Sequence, residues 1–258
     1  MKSEVFNVEP NNIYCGNCLE LMPHIADKSI DAIICDLPFG TTKNSWDTII
    51  PFEPLWEQYS RIIKDNGAIV LFAQQPFTSM LVMSNPKMFK YEWIWEKDNG
   101  TGFLNANHAP LKIHENILVF GKGATSPTKN SLSMTFNPQK TKGEPYTCVQ
   151  GYSGSNYSPI SGNVTVSDGM RYPTDIIKFS RDKEKYHPTA KPVDLLRYLI
   201  RTYSEVGGVI LDNCCGSGST LIAAIREKRQ YIGIEMNEHY FQKAQKRVKE
   251  EQQQPSLF

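Results

Sequence analysis

Two apolar runs in this chain of 258 residues end on an aspartate. In Ile33–Gly40, IICDLPFG, the run stops at Asp36, and Leu37, Pro38, Phe39 and Gly40 follow. Aspartate is depleted in strands, and a carboxylate at the end of a buried run costs free energy unless something satisfies it. Two readings are open. One is a turn, in which Asp opens, Pro sets φ and Gly closes. The other is the mouth of a pocket, with Asp36 and Phe39 held for a ligand. In the second run, VILDNCCGSGSTLIAAI, a strand ends at Asp212, and Gly216-Ser217-Gly218 leads into a helix beginning near Ser219. Glycines there let the backbone approach a ligand closely, and a helix start offers free N–H groups. The same loop is equally a tight turn packing a helix on a sheet. About 20 residues on, YIGIE ends at Glu235, the spacing at which an α/β nucleotide site grips ribose hydroxyls. The Lys-Ser/Thr pair of a P-loop is absent, as is the third glycine of a dinucleotide fingerprint. Cys15-x-x-Cys18 has no second pair at zinc spacing, because Cys214 and Cys215 are adjacent, so no metal is expected.

The elements that must hold these residues alternate. Candidate strands are Ala32–Asp36, Ala68–Phe72, Tyr91–Trp95, Asn116–Phe120, Val209–Asp212 and Tyr231–Glu235. Amphipathic patterns lie between them, which predicts a parallel α/β sheet. In Pro54–Ile63 one face carries Leu55, Trp56, Tyr59, Ile62 and Ile63, with Asn66-Gly67 as the stop; Val193–Tyr203 ends at Gly207-Gly208. Asn237–Glu250 starts on a capping Asn and should bury Phe241, Ala244 and Val248. Tyr91, Trp93 and Trp95 alternate at period two and read as sheet surface rather than a platform for a ligand. His114-Glu115 precedes a strand and reads as structural.

Residues 121–186 break the rhythm: they are rich in Ser, Thr, Asn, Pro, Gly and Tyr with weak periodicity. A structureless loop of that length is unusual inside a compact domain, and its five tyrosines argue against plain disorder. The formal net charge is only +1, but Gly121–Lys191 holds ten Lys/Arg against five Asp/Glu. That is either a solvated loop or a basic face for an anionic polymer. No run of apolar residues is long enough to span a membrane and no secretory core is present, so a cytoplasmic chain with reduced thiols is expected.

Several of these stretches resemble the motifs of one family. DLPFG resembles the Asp-Pro-Pro-Tyr motif of amino-methyltransferases acting on DNA. LDNCCGSGST resembles their Asp-Pro-Phe-x-Gly-Ser-Gly-Thr-Thr motif, which binds S-adenosylmethionine. YHPTAKPVDLL, residues 186–196, resembles His-Pro-Thr-x-Lys-Pro, and WIWEKDNGTGFLNANHAPLKIHENILVF is similar to the intervening Trp-x-Lys … His-Glu-x-Ile-Leu-x-Phe stretch. The catalytic motif precedes the insertion and the cofactor loop comes last, which is the circularly permuted order of the beta class. Glutamine methyltransferases share an Asn-Pro-Pro-Tyr motif but place the cofactor loop first. The resemblance covers essentially the whole chain.

The resemblance implies a Rossmann-like, S-adenosylmethionine-dependent methyltransferase fold, α/β and circularly permuted. Residues 1–120 would form its catalytic half, 121–185 a target-recognition insertion and 186–258 the cofactor-binding half. It assigns Asp36 and the Leu37 carbonyl to accept the N–H bonds of an exocyclic amino group, Pro38 to stiffen the link, and Phe39 to stack a base that has left the duplex. It assigns the cofactor to Asn17, Asp212, Gly216, Ser217, Gly218, Ser219, Thr220, Glu235, Thr189 and Lys191, with Lys191 on the methionine carboxylate and His187 as a positioning residue. Lys140 and Lys142 are the expected phosphate contacts on double-stranded DNA. Asp at the first motif position favours the 6-amino group of adenine; cytosine-N4 enzymes usually carry Ser there. No Pro-Cys pair offers a nucleophile for attack on cytosine carbon 5. A cytosine-N4 enzyme and a DNA-binding module with impaired catalysis remain alternatives, and a homodimer and a cognate restriction endonuclease remain open as partners. The chain departs from the motifs at Leu37 for Pro, Phe39 for Tyr, Asn213-Cys214 for Pro-Phe, and Asn17 for the usual acidic residue. These leave a thinner apolar cover over the cofactor and require Asn17 to accept through its amide oxygen.

Overall fold

The computed structural model describes residues 7–41, 47–126, 131–149, 164–182 and 190–253. They divide into two compact units, one formed by residues up to 137 and from 175 onward, the other by Pro138–Thr174. In chain order the first unit contributes β1 (Asn12–Cys15), α1 (Cys18–Leu21), β2 (Ile30–Cys35), α2 (Phe52–Ile62), β3 (Ile63–Ala73), α3 (Phe77–Ser84), β4 (Phe89–Thr101) and β5 (Lys112–Gly121). The second holds β6 (Thr141–Lys142), β7 (Tyr146–Val149), β8 (Val164–Ser167) and β9 (Met170–Arg171). The first then resumes with β10 (Ile176–Lys178), α4 (Val193–Tyr203), β11 (Val209–Asp212), α5 (Ser219–Arg226), β12 (Gln230–Glu235) and α6 (Glu238–Gln253).

The first unit is built on an eight-stranded sheet in the order β1-β12-β11-β2-β3-β5-β4-β10. Its pairings are parallel except that β5 runs antiparallel to both neighbours. The expected all-parallel sheet is thus corrected at one strand. The short connection from β4 to β5 allows an antiparallel pair, whereas a parallel neighbour needs a long crossover.

Strands buried on both faces read as continuous apolar runs, and here successive residues serve opposite layers. Ala32, Ile34, Ala68, Val70, Phe72, Ile117 and Val119 face a core shared with Leu196, Leu199, Ile200 and Tyr203 of α4 and Leu221 of α5. Ile33, Cys35, Ile69, Leu71, Leu118 and Phe120 face the opposite core with Leu55, Trp56, Tyr59 and Ile62 of α2. Removing one such fully buried leucine costs about 2–5 kcal/mol, so the two cores together fix the ends of the strands between them.

Several sequence expectations change in detail. The helix predicted over Pro54–Ile63 stops at Ile62, and Ile63 already pairs with Ile30 in β3. Asn66-Gly67 lies inside that strand at a register shift instead of ending the helix. A Cβ on Gly67 would stand 2.8 Å from the Asp31 carbonyl, so the glycine serves a close backbone approach. Trp93 and Trp95 are not surface: they are 3% and 2% exposed, with Tyr198 and Tyr203 of α4 and Phe136 against Trp93 and Phe179 against Trp95. Trp93 donates to the Tyr203 hydroxyl at 2.6 Å and Trp95 to the Phe179 carbonyl at 2.9 Å. Phe241 is half-buried while Ala244 and Val248 are buried, and Asn237 accepts from the His239 and Tyr240 N–H groups at the start of α6. Among the described residues no helix is long and apolar enough to cross a membrane.

Candidate active site

The order of the sheet brings together the strand ends that the sequence marked. β12, β11 and β2 are consecutive and parallel. Glu235, Asp212 and Asp36 therefore stand at or just beyond the carboxyl ends of neighbouring strands, where open α/β sheets bind ligands.

On the β11–β12 side, Gly216 and Gly218 hold φ of +51° and +82°, conformations that suit glycine. A Cβ on Gly218 would meet Ala244 of α6 at 3.2 Å, whereas one on Gly216 would meet nothing within 4 Å. Gly218 thus lets the loop pack on α6, while Gly216 borders open space. Arg247 of α6 donates to the Ser217 carbonyl at 2.7 Å and to the Ser217 and Ser219 hydroxyls at 3.1 and 3.3 Å, which fixes the loop from below. The Glu235 carboxylate accepts from the Gly216 N–H and the Asn237 N–H, each at 2.8 Å. Burial pushes its carboxyl above the usual range, against the pull of those amides. Asp212 accepts from the Cys214 N–H at 3.1 Å. Burial pushes it up to about 6, with the Thr220 hydroxyl and the Cys214 N–H opposing. Asn17 caps α1, its amide oxygen accepting from the Leu19 N–H at 3.0 Å. Asn213 is buried and accepts from the Tyr59 hydroxyl at 2.6 Å.

At the end of β2 the geometry is that of a turn. Gly40 takes a φ of +67°, and the buried Asp47 carboxylate accepts from the Gly40 and Thr41 N–H groups at 2.8 and 2.9 Å. Leu37 is buried and Pro38 is half-buried. The Phe39 ring, also half-buried, stacks on Phe77 with centroids 5.1 Å apart. Lys191 donates to Asp36 Oδ2 at 2.5 Å, while Asp36 Oδ1 is buried with no hydrogen-bond partner among the described residues. Burial raises the Asp36 carboxyl above the usual range, Lys191 opposing. The side chain of Lys191 is only 9% exposed and also lies 3.3 Å from Glu115, which in turn pairs with Lys97. Burial would push Glu115 up, but Lys191 and Lys97 outweigh it and hold its carboxyl below the usual range.

Asp36, Lys191, Asp212, the glycine loop and Glu235 therefore gather at one edge of the sheet. His187 and Thr189 lie outside the described residues. Lys140 and Lys142 belong to the second unit, where both are exposed and the Lys140 ammonium lies 4.2 Å from the Tyr172 ring centroid. Sequence reasoning gave Lys97 and Asp47 no role and read Glu115 as structural. The signal for two of them was present, since Lys97 and Glu115 are the charged members of the Trp-x-Lys and His-Glu motifs.

A doubly covered sheet with a glycine loop and an acidic residue on neighbouring strand ends defines a Rossmann-like nucleotide-cofactor fold. Comparison with known proteins narrows this. The family profile for N6/N4 methyltransferases, described as a DNA methylase, matches residues 30–246. The chain belongs to this family of S-adenosylmethionine-dependent DNA methyltransferases. It is 27% identical to the type II methyltransferase M.HpaI of Haemophilus parainfluenzae over 93% of this chain and 74% of that one. It is 26% identical to the DNA adenine methyltransferase YhdJ of Escherichia coli K12 over 94% and 84%. Among solved structures, the complex of M1.HpyAVI with S-adenosylmethionine superposes with a TM-score of 0.60 at 23% identity, covering 92% of this chain and 98% of that one. The cytosine-N4-specific PvuII methyltransferase gives 0.64 at 15% identity, covering 98% and 90%. The residues present fit the cofactor, because Gly216 borders open space beside the Glu235 carboxylate on the edge that carries Asp36.

Proposed function

We propose that this DNA methyltransferase transfers its methyl group to the 6-amino nitrogen of adenine in double-stranded DNA, with the base flipped out of the helix. The observation that carries the reading is the buried, unpartnered Oδ1 of Asp36. A buried acceptor without a donor is costly, and an incoming N–H removes that cost. The lone pair of an exocyclic amino group is delocalised into the base, so the nitrogen is a poor nucleophile. Asp36 accepts one N–H bond and the Leu37 carbonyl the other; together they favour tetrahedral geometry and localise the pair. Lys191 holds Oδ2 and opposes the rise that burial imposes on the carboxyl. Phe39, backed by Phe77, offers a ring on which the flipped base stacks, a contact worth about 1–3 kcal/mol. Flipping costs a few kcal/mol.

When bound, S-adenosylmethionine supplies an electrophilic methyl on its sulfonium. Glu235, Asp212 and the Gly216–Gly218 loop would hold it, with Asn17, Ser217, Ser219, Thr220, Thr189 and Lys191 as the further contacts. The amino nitrogen would take the methyl directly, with no covalent enzyme intermediate: the bond from methyl to sulfur breaks, leaving a neutral thioether, and the nitrogen gives up one proton through Asp36 to solvent. Residues 121–185 supply target recognition, with Lys140 and Lys142 on phosphates. Digesting treated DNA to nucleosides and weighing them tests the substrate. Mass at 6-methyladenine supports the reading, and 4-methylcytosine alone overturns it in favour of the cytosine-N4 alternative.

A further inference from the structure

Lys97 and Glu115 form a second ion pair behind Lys191, and nothing in the proposed chemistry uses them. Trp95 of β4 stands opposite Glu115 of β5, and Lys97, two residues beyond Trp95, points to the same face of the sheet. The side chains of Lys97 and Glu115 are 4% and 11% exposed. Burying ions costs several kcal/mol each, and well-packed apolar residues often do as well or better for stability. Two buried ions that served only packing would therefore be a poor solution. They touch the candidate chemistry at one point: Glu115 lies 3.3 Å from the Lys191 ammonium, on which Asp36 also draws at 2.5 Å.

We propose that Lys97 and Glu115 are positioning residues whose opposed charges set how tightly Lys191 holds Asp36, and so the pH at which Asp36 can accept a substrate N–H. The inference rests on the methyl-transfer reading of Asp36. The charged and titratable groups facing Asp36 are Lys191 from the segment before α4, Glu115 from β5, Lys97 from β4, Asp212 from β11 and Cys35 from β2. Asp212 and Cys35 stay constant in the comparison below. Without Lys97, the Glu115 charge is answered by Lys191 alone, which is drawn off Asp36, and Asp36 takes up a proton at higher pH. Without the Glu115 charge, Lys191 answers to Asp36 alone, and the carboxylate survives to lower pH. Removing both charges cancels the two effects.

The test is the pH dependence of methyl-transfer rate on unmodified genomic DNA at saturating S-adenosylmethionine, with cofactor affinity measured calorimetrically. Lys97→Met should move the acid limb up by about half a pH unit and Glu115→Gln should move it down by a similar amount, the scale of one charge beyond the nearest shell. The double variant should return close to the parent, and cofactor affinity should stay within about threefold throughout. Limbs that do not move, or single variants that move the same way, overturn the proposal. If a single variant no longer binds cofactor, Lys97→Arg and the remaining single variant carry the test: charge retained must leave the limb in place, and a shifted limb refutes. Asp36→Asn, run alongside, separates the two readings. Full activity there removes the role of Asp36 itself. An inactive Asp36→Asn with unmoved limbs removes only the assignment of Lys97 and Glu115.

Discussion

The two glycines of the cofactor loop should fail in different ways when given a side chain. Gly218, at a φ of +82°, faces Ala244 of α6, whose Cβ and Cα would lie 3.2 and 3.4 Å from a new methyl group. The left-handed conformation alone costs a non-glycine residue about 1–2 kcal/mol. Overpacking against a helix backbone adds about 1–3 kcal/mol. Gly218→Ala should therefore lose roughly 2–5 kcal/mol, and at about 2–4 °C per kcal/mol for a unit of this size Tm should fall by roughly 4–20 °C. Gly216, at a φ of +51°, has nothing within 4 Å of a new Cβ. Gly216→Ala should carry only the conformational cost, about 1–2 kcal/mol, but its methyl enters the open space beside Glu235. Calorimetric titration of S-adenosylmethionine should show a loss of at least about tenfold, or about 1.4 kcal/mol, with the fold intact by thermal unfolding. A folded Gly216→Ala with parental affinity would refute the location of the cofactor. A Gly218→Ala as stable as the parent would refute the packing argument, and it would return Gly218 to the ligand side.

Asp36→Ala should bind cofactor and DNA within a few-fold of the parent while turnover falls about 10²-fold or more, the scale for losing one preorganised polar group; a fully active variant refutes the mechanism. Replacing Lys140 and Lys142 with Ala should weaken DNA binding and flatten the dependence of log affinity on log salt by about 0.9 for each lost phosphate contact; unchanged slope and affinity would make them a solvated face. Asp212, pushed up to about 6 from 3.8 by burial, binds its proton more tightly folded than unfolded, so its contribution to stability falls as pH rises from about 4 to about 6. Asp212→Asn should accordingly gain stability relative to the parent across that window, by an amount on the order of 3 kcal/mol, and a difference in unfolding free energy that stays flat with pH contradicts the assignment.

Much of the sheet was legible because burial on both faces leaves an unmistakable apolar run. Ala32–Asp36, which the structure shifts to Ile30–Cys35, and Val209–Asp212 needed no partner in sequence to be read as strands. The same property hid the limits of β3. Ile63 satisfies a helix face and a strand equally, and the choice was made by Ile30, 33 residues upstream, which pairs with it. Trp93 and Trp95 show the converse failure. Their alternation was correct, but which face is covered depends on Phe179 and α4, which lie more than 80 residues later in the chain.

The candidate site was legible where one strand end carries its own chemistry, as at Asp36, Asp212 and Glu235, and illegible where chemistry arises from distant residues. Asp36 and Lys191 are 155 residues apart, and no local pattern says that they share a hydrogen bond. Lys97 and Glu115 each sit in a recognisable motif, near the connected end of the β4–β5 hairpin, but no local pattern says that they pair behind Lys191. Only the folded arrangement reveals two positive and two negative groups in one water-poor cluster, each sign balanced by the other. That balance has a consequence for substitution. Losing any one of the four leaves an uncompensated buried charge, a defect of about 3–5 kcal/mol, whereas removing an oppositely charged pair keeps neutrality. The identities of Lys97, Glu115, Lys191 and Asp36 are thus constrained together by the cost of burying charge, before any demand of catalysis is added. For Lys97 and Glu115, a larger loss of thermal stability in each single replacement than in the paired one distinguishes that constraint from one of shape.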